Sequence, residues 1–281
     1  MTTMGFSTDE QGRFQMRNIP PGDYRLLVRG RMPTGPNQSM DGNEMAIVPL
    51  AVTADLDGIV IVTGPGATVV GQIVFEQGPP QPGPAQIGSP IRVTAQLADP
   101  MNSGPMPSPQ SATVAADHTF SLKGMMGEFL LRANAPGQFL KAVMLGAEDI
   151  TDTPREFKNG ERVSLVMTSA ASTIEGTVTD AKGAPVTEAS LIVFGDDKAS
   201  WRYNSVRTRR GGIDASGHFR LTGVLPGRYY AIAAPREVLN VPPPMQDAAF
   251  FEALTKDATP FVVGESEQRQ VDLKFVTGIG G

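Results

Sequence analysis

The chain predicts an all-β protein built of tandem immunoglobulin-like sandwich modules, and three observations carry that prediction. The first is a repeat: DEQGRFQMRNIPPGDYRLLV around Asp9, DASGHFRLTGVLPGRYYAIA around Asp214, and a worn copy, DHTFSLKGMMGEFLLRA, around Asp117. In the two clean copies a Phe (Phe14, Phe219) is followed eight residues on by a Gly (Gly22, Gly227) and ten on by a Tyr (Tyr24, Tyr229). A spacing that recurs at separated places marks one structural unit used again. The second observation is composition: 31 Gly and 24 Pro in 281 residues, beside moderate charge and few aromatics, is the balance of a turn-rich β protein. The third is a succession of short apolar-alternating segments with turn residues between them, at the spacing of a sandwich with about seven strands per unit.

The elements follow in order. Asp-x-x-Gly (Asp9 to Gly12, Asp214 to Gly217) predicts a tight turn, with Asp accepting backbone hydrogen bonds and Gly supplying positive φ. Phe14 and Met16, or Phe219 and Leu221, then alternate toward one face until Pro-Gly breaks the strand. Tyr24, Leu26 and Val28, or Tyr229, Ala231 and Ala233, restart the period, so Phe14, Tyr24, Phe219 and Tyr229 are expected inside and Gly22 and Gly227 in turns. Before the last copy, STIEGTVTDAKGAPVTEASLIVF supplies two strands around a further turn, Asp180 to Gly183. GATVVGQIVFE and SPIRVTAQL do the same for the middle copy. Closing strands are expected at AIVPLAV with GIVIVT, at RVSLVMT and at RQVDLKFV. One short helix is expected, at DAAFFEALTK, with Phe250, Phe251 and Leu254 covering an edge or end of the last unit.

Three units result: a partial module over 1–63, a second over 64–168 and a third over 169–281. The first has no counterpart of the opening strands at GATVVGQIVFE and STIEGTVTD, and is expected to be the weakest. Either it belongs to a longer chain or another segment completes it.

Composition also excludes. Cysteine is absent, which removes disulfides, thiolate metal sites and cysteine nucleophiles together. A net charge of −5 argues against a nucleic-acid binder. No apolar run is long enough to cross a bilayer, and MTTMGFSTDEQG does not read as a secretory leader. The two histidines, His118 and His218, fall beside Phe strands with no His-x-x-Glu or His-Glu-x-x-His spacing, so neither a metal nor a catalytic role is assigned. No phosphate loop and no Gly-x-Ser-x-Gly occurs, and no cofactor is implied.

The chemically richest stretch is Trp201, Arg202, Tyr203, Asn204, Arg207, Arg209 and Arg210. Flat aromatic faces suit sugar rings, and Arg and Asn donate to hydroxyls or carboxylates, so Trp201, Tyr203 and Arg207 are the candidate ligand-binding residues. The structural alternative has Trp201 covering the sandwich end with the arginines in water or stacked on it. An internal Lys-to-Asn bond, from Lys182 or Lys198 to Asn204 or Asn240, is a further candidate modification.

At GTVTDAKGAPVTEASLIVF followed by DASGHFRLTGVLPGRYY, the chain resembles the carboxypeptidase regulatory-like domain family, a transthyretin-like β-sandwich often repeated in bacterial surface and periplasmic proteins. The likeness covers most of the chain. The middle copy departs from it, with Gly124-Met125-Met126-Gly127 replacing Pro-Gly and no Gly after Asp117. The resemblance implies a non-enzymatic binding or spacer role outside the cytoplasm, in the periplasm, on the cell surface or secreted. Its carbohydrate-binding-like superfamily adds a polysaccharide as partner, beside a surface protein. The alternative is the accessory region of a larger surface enzyme or outer-membrane transporter whose active part lies upstream.

Overall fold

The Asp-x-x-Gly turns form as the sequence dictates. In the computed structural model, which describes residues 5–30, 44–80, 90–98, 110–242 and 246–278, Asp214 Oδ1 accepts from the amides of Ser216 and His218 at 2.8 and 2.9 Å. Asp180 does so for Lys182 and Ala184 at 2.8 and 2.9 Å, and Asp9 for Gln11 and Arg13 at 3.0 and 2.7 Å. Each turn closes on a Gly at positive φ: 75° at Gly12, 83° at Gly183, 77° at Gly217. The worn copy makes the same turn with other residues. His118, two before Phe120 as Gly217 is two before Phe219, adopts φ 65°, and its amide bonds Ala115 O at 2.9 Å as that of Gly217 bonds Asp214 O at 3.0 Å.

The first unit contributes β1 (Gly22–Arg29) and β2 (Met45–Val52). The second contributes β3 (Ala67–Phe75), β4 (Arg92–Leu97), β5 (Gln110–Thr113), β6 (Thr119–Met125), β7 (Glu128–Asn134), β8 (Phe139–Leu145), β9 (Glu148–Asp149), β10 (Arg155–Glu156) and β11 (Arg162–Thr168). The third contributes β12 (Ser172–Thr179), β13 (Ser190–Gly195), β14 (Arg209–Gly212), β15 (His218–Val224), β16 (Gly227–Ala234), α1 (Arg236–Leu239), α2 (Ala248–Thr255), β17 (Thr259–Val263), β18 (Gln268–Gln270) and β19 (Leu273–Lys274). Gly22 and Gly227, expected in turns, are the first residues of β1 and β16, directly after the prolines.

Two sandwiches follow. Sheet β6-β3-β11-β8-β9 packs against β10-β7-β4-β5, over a core that includes Val69, Leu122 and Leu165 from one sheet and Val93, Phe129 and Leu131 from the other. In the third unit, β15-β12-β18, with β19 also on β12, packs against β14-β13-β16-β17 through Ile174, Phe219, Leu191 and Tyr229. In both, the opening strand is central, antiparallel to the Phe strand and parallel to the closing strand: β3 with β6 and β11, β12 with β15 and β18.

One face of the third unit departs from a simple sandwich. Every residue of β13 is buried, because a second apolar layer covers the outer side of its sheet. Ile192, Phe194 and Ile232 meet Trp201, Leu239, Phe251 and Leu254 there. The expected helix is α2, opened by Asp247, whose carboxylate accepts from Phe250 N at 3.0 Å. A strand covered on both faces reads as a continuous apolar run, as SLIVF does.

The first unit corrects the sequence expectation. β1 and β2 pair from Gly22↔Val52 to Arg29↔Met45, matching β16 with β17 from Gly227↔Val263. Among the described residues, however, neither 13–17 nor 55–63 joins a ladder. Phe14 is only half-buried and Tyr24 is 37% exposed, whereas Phe219 and Tyr229 are 4% and 2% exposed. Among the described residues no counterpart of β12 or β13 flanks Phe14 and Tyr24. Phe219→Ala is therefore expected to cost about 3–5 kcal/mol, and Phe14→Ala less than about 1 kcal/mol. Denaturant unfolding monitored by far-UV circular dichroism checks this; equal losses would contradict the difference in packing.

Candidate functional site

The segment leaving β13 is shaped by local hydrogen bonds. Asp196 pairs with Arg228 Nε at 2.7 Å. Asp197 caps a single 3-10 turn, Lys198–Ser200, by accepting from Ala199 N at 3.0 Å. That turn throws Trp201 back onto the sheet. Its Nε1 donates to Gly195 O at 2.8 Å, its ring meets Phe194 edge-on with centroids 6.1 Å apart, and it is 7% exposed. Lys198 Nζ lies over the same ring at 5.3 Å while pairing with Glu252 of α2 at 2.8 Å.

The idea of Trp201 as an open platform is thus corrected: its faces and its N–H are spent on packing. Arg207 turns one nitrogen inward, its Nη1 donating to Pro226 O at 3.2 Å and the Tyr229 hydroxyl at 3.4 Å. Burial raises the Tyr229 pKa, with Arg207 opposing that shift. Tyr203 alone of the three faces outward, 41% exposed, with the Arg210 guanidinium 5.7 Å from its ring. The three candidates do not converge on one surface. Of the proposed Lys-to-Asn partners, Lys198 is engaged with Glu252 and Asn240 with the Ser190 hydroxyl at 3.3 Å.

What the segment does build is a joint with the preceding sandwich. Asp152, in the turn after β9, pairs with Arg132 of β7 at 2.7 Å, their side chains 11% and 14% exposed. Its other carboxylate oxygen accepts from the Ser205 hydroxyl at 2.6 Å, and its carbonyl accepts from Arg202 at 2.6 Å. Arg132 also donates through Nε to Asn204 O at 2.9 Å and through Nη1 to Leu131 O and Thr151 O. Burial lowers the pKa of Arg132, Asp152 acts to raise it, and Arg202 lowers it further. Arg132 holds the joint by charge and by use of all three of its nitrogens, and Arg202 adds a second positive charge beside the same acid. Apolar contact reinforces it, for Val206 and Leu225 of the third unit complete the core of the second.

A cleft of about 560 Å³ opens along this joint, lined by Gln96, Arg132, Asn134, Gln138, Asn204 and Arg209 among others. Gln138 Oε1 is buried with no hydrogen-bond partner among the described residues. Arg209 donates through Nη1 to Val206 O and Thr208 O, both at 2.9 Å, and burial lowers its pKa. A wall of amides and guanidinium suits hydroxyl-bearing or carboxylate-bearing ligands. Arg132 and Asp152 escaped the sequence reading because they lie 72 and 53 residues from their partners Asn204 and Ser205. Among the described residues no group of three His, Asp or Glu could hold a metal ion, and no helix is long and apolar enough to cross a membrane.

No family model matches the chain, and no curated protein matches it. Among solved structures it is similar to a streptococcal ancillary pilin, at 13% identity and TM-score 0.29, over 91% of this chain and 76% of that one. It is similar to the minor pilin of Streptococcus agalactiae at 10% and 0.30, over 74% and 94% of the two chains. It is also similar to a DUF3823 family protein from Parabacteroides merdae at 13% and 0.25, over 72% and 99%. At these scores the sandwich assignment stands on the chain's own strand order.

Proposed function

We propose that the chain is a non-enzymatic extracytoplasmic array of β-sandwich units, divided at 1–63, 64–168 and 169–281, that holds or spaces a partner. On this reading it is of the carboxypeptidase regulatory-like type. The observation that carries the proposal is the joint: Asp152, held between Arg132 and Ser205, and Val206, packed in the neighbouring core, link the second and third units to each other. A tether needs no such interlock, whereas a spacer that sets a distance does. The partner is a surface protein or polysaccharide, met at the cleft and at Tyr203, whose exposed ring is the available sugar-stacking face.

The absence of cysteine gives a clean test. Spin labels at Lys158→Cys and Lys182→Cys, on exposed turns of the second and third units, are expected to give one narrow distance distribution by pulsed electron resonance. A broad distribution would overturn the rigid-spacer reading. In affinity gels, polysaccharide binding would show as retardation lost in Tyr203→Ala at unchanged Tm; no retardation across a broad panel would leave the surface-protein partner alone.

A further inference from the structure

The cleft along the joint takes its walls from both sandwiches. Gln96 and Asn134 come from β4 and β7 of the second unit, and Asn204 and Arg209 from the segment that enters β14 of the third. We infer that this cleft is a site for an acidic saccharide, which sets a uronate carboxylate on Arg209 and ring hydroxyls on Gln96, Asn134 and Asn204. The inference rests on the reading of the cleft as a partner site, and it names the chemistry that the site selects.

Charge selects the carboxylate. Three guanidiniums gather at the joint, those of Arg132, Arg202 and Arg209, and the carboxylates that act on them are Asp152 and Glu128. One positive charge is left over. Arg132 holds the ion pair with Asp152 at 2.7 Å, whereas Arg209 has no ion pair among the described residues. Its Nη1 takes the carbonyls of Val206 and Thr208, both at 2.9 Å, and its Nε and Nη2 make no hydrogen bond among the described residues. Those two nitrogens form a fork that matches both oxygens of a carboxylate. Burial lowers the Arg209 pKa, and a carboxylate beside it acts in the opposite sense. No Asp or Glu stands among the described residues that line the cleft, so a bound anion meets no like charge there.

The amides select the sugar. The side chains of Gln96, Asn134 and Asn204 make no hydrogen bond among the described residues, and each offers donors and an acceptor together. Hydroxyls do the same, whereas a phosphate or sulfate dianion only accepts, so these amides beside one guanidinium match a ring that carries both hydroxyls and a carboxylate. Pro136 and Phe139 add apolar surface to the lining. An acidic peptide fits less well. A bound peptide strand draws affinity from pairing its backbone with an open sheet edge, and β4 and β7 are interior strands, flanked by β5 and β10.

Trigalacturonate serves as the probe, with trigalactose, which has hydroxymethyl groups in place of the carboxylates, as its neutral counterpart. Calorimetric titration of the full chain is expected to show the acid bound about tenfold more tightly than the neutral sugar. Arg209→Gln should erase that preference. Asn134→Ala, at an exposed position, should weaken both sugars about threefold at unchanged Tm, and it decides the matter even if Arg209→Gln, which gives up two backbone bonds, does not fold. No binding at millimolar acid, equal binding of the neutral sugar or of a tetraglutamate peptide, a preference that survives in Arg209→Gln, or an Asn134→Ala chain that binds as the wild type would each overturn the inference. The spin-label distances and the retardation through Tyr203 are read separately, so the cleft can fail as an acidic-sugar site while the spacer reading stands.

Discussion

Asp152→Ala is expected to destabilise the protein by about 3–5 kcal/mol, because it leaves two cations in a largely desolvated joint without their carboxylate. Arg132 is the more exacting of the two, its side chain 14% exposed and its pKa already held down by burial and by Arg202. Calorimetry should show one transition dividing into two as the sandwiches uncouple. Arg132→Met in the same background should recover much of the loss, since a buried ion pair replaced whole by apolar groups costs little. If Asp152→Ala melts as the wild type, the joint contributes nothing and the spacer reading loses its support.

Trp201→Ala is expected to cost about 3–5 kcal/mol, a loss of the size seen for large buried aromatics. The side chain abandons contacts with Phe194 and leaves Gly195 O without its donor. Because that layer also holds Phe251 and Leu254 of α2, helix content should fall with it. Chemical unfolding followed by far-UV circular dichroism measures both. An unchanged midpoint would mean that the ring is dispensable to packing and return it to the list of ligand-contacting groups.

The contrast between these two residues shows what a sequence can and cannot disclose. The turn acids were legible because Asp214 finds its partners within four residues, at Ser216 and His218, so spacing alone specifies the bonds. The interior positions of Phe219 and Tyr229 were legible because period-two alternation decides them once the strand exists. Phe14 follows the same alternation and fails, since burial is a property of the opposing strand rather than of its own. Trp201 stays open in the sequence between a ligand face and a cover for the sandwich end, because the outer face of β13 looks like a surface until α1 and α2 are laid on it. Asp152 could not be found at all, for nothing near EDITDTP distinguishes a joint acid from a turn acid.

The central position of the opening strands has a mechanical corollary. In the second unit β3 and β11, the first and last strands, run parallel over six register pairs from Val70↔Arg162 to Phe75↔Met167. Tension along the chain therefore pulls their outer ends in opposite directions, and all the hydrogen bonds between them bear load together in shear rather than opening one by one. The third unit closes with a shorter clamp, β12 against β18 over three pairs and β19 over two. Under force the rupture order follows: the third sandwich yields before the second, and the first, with no clamp among its described residues, offers the least resistance.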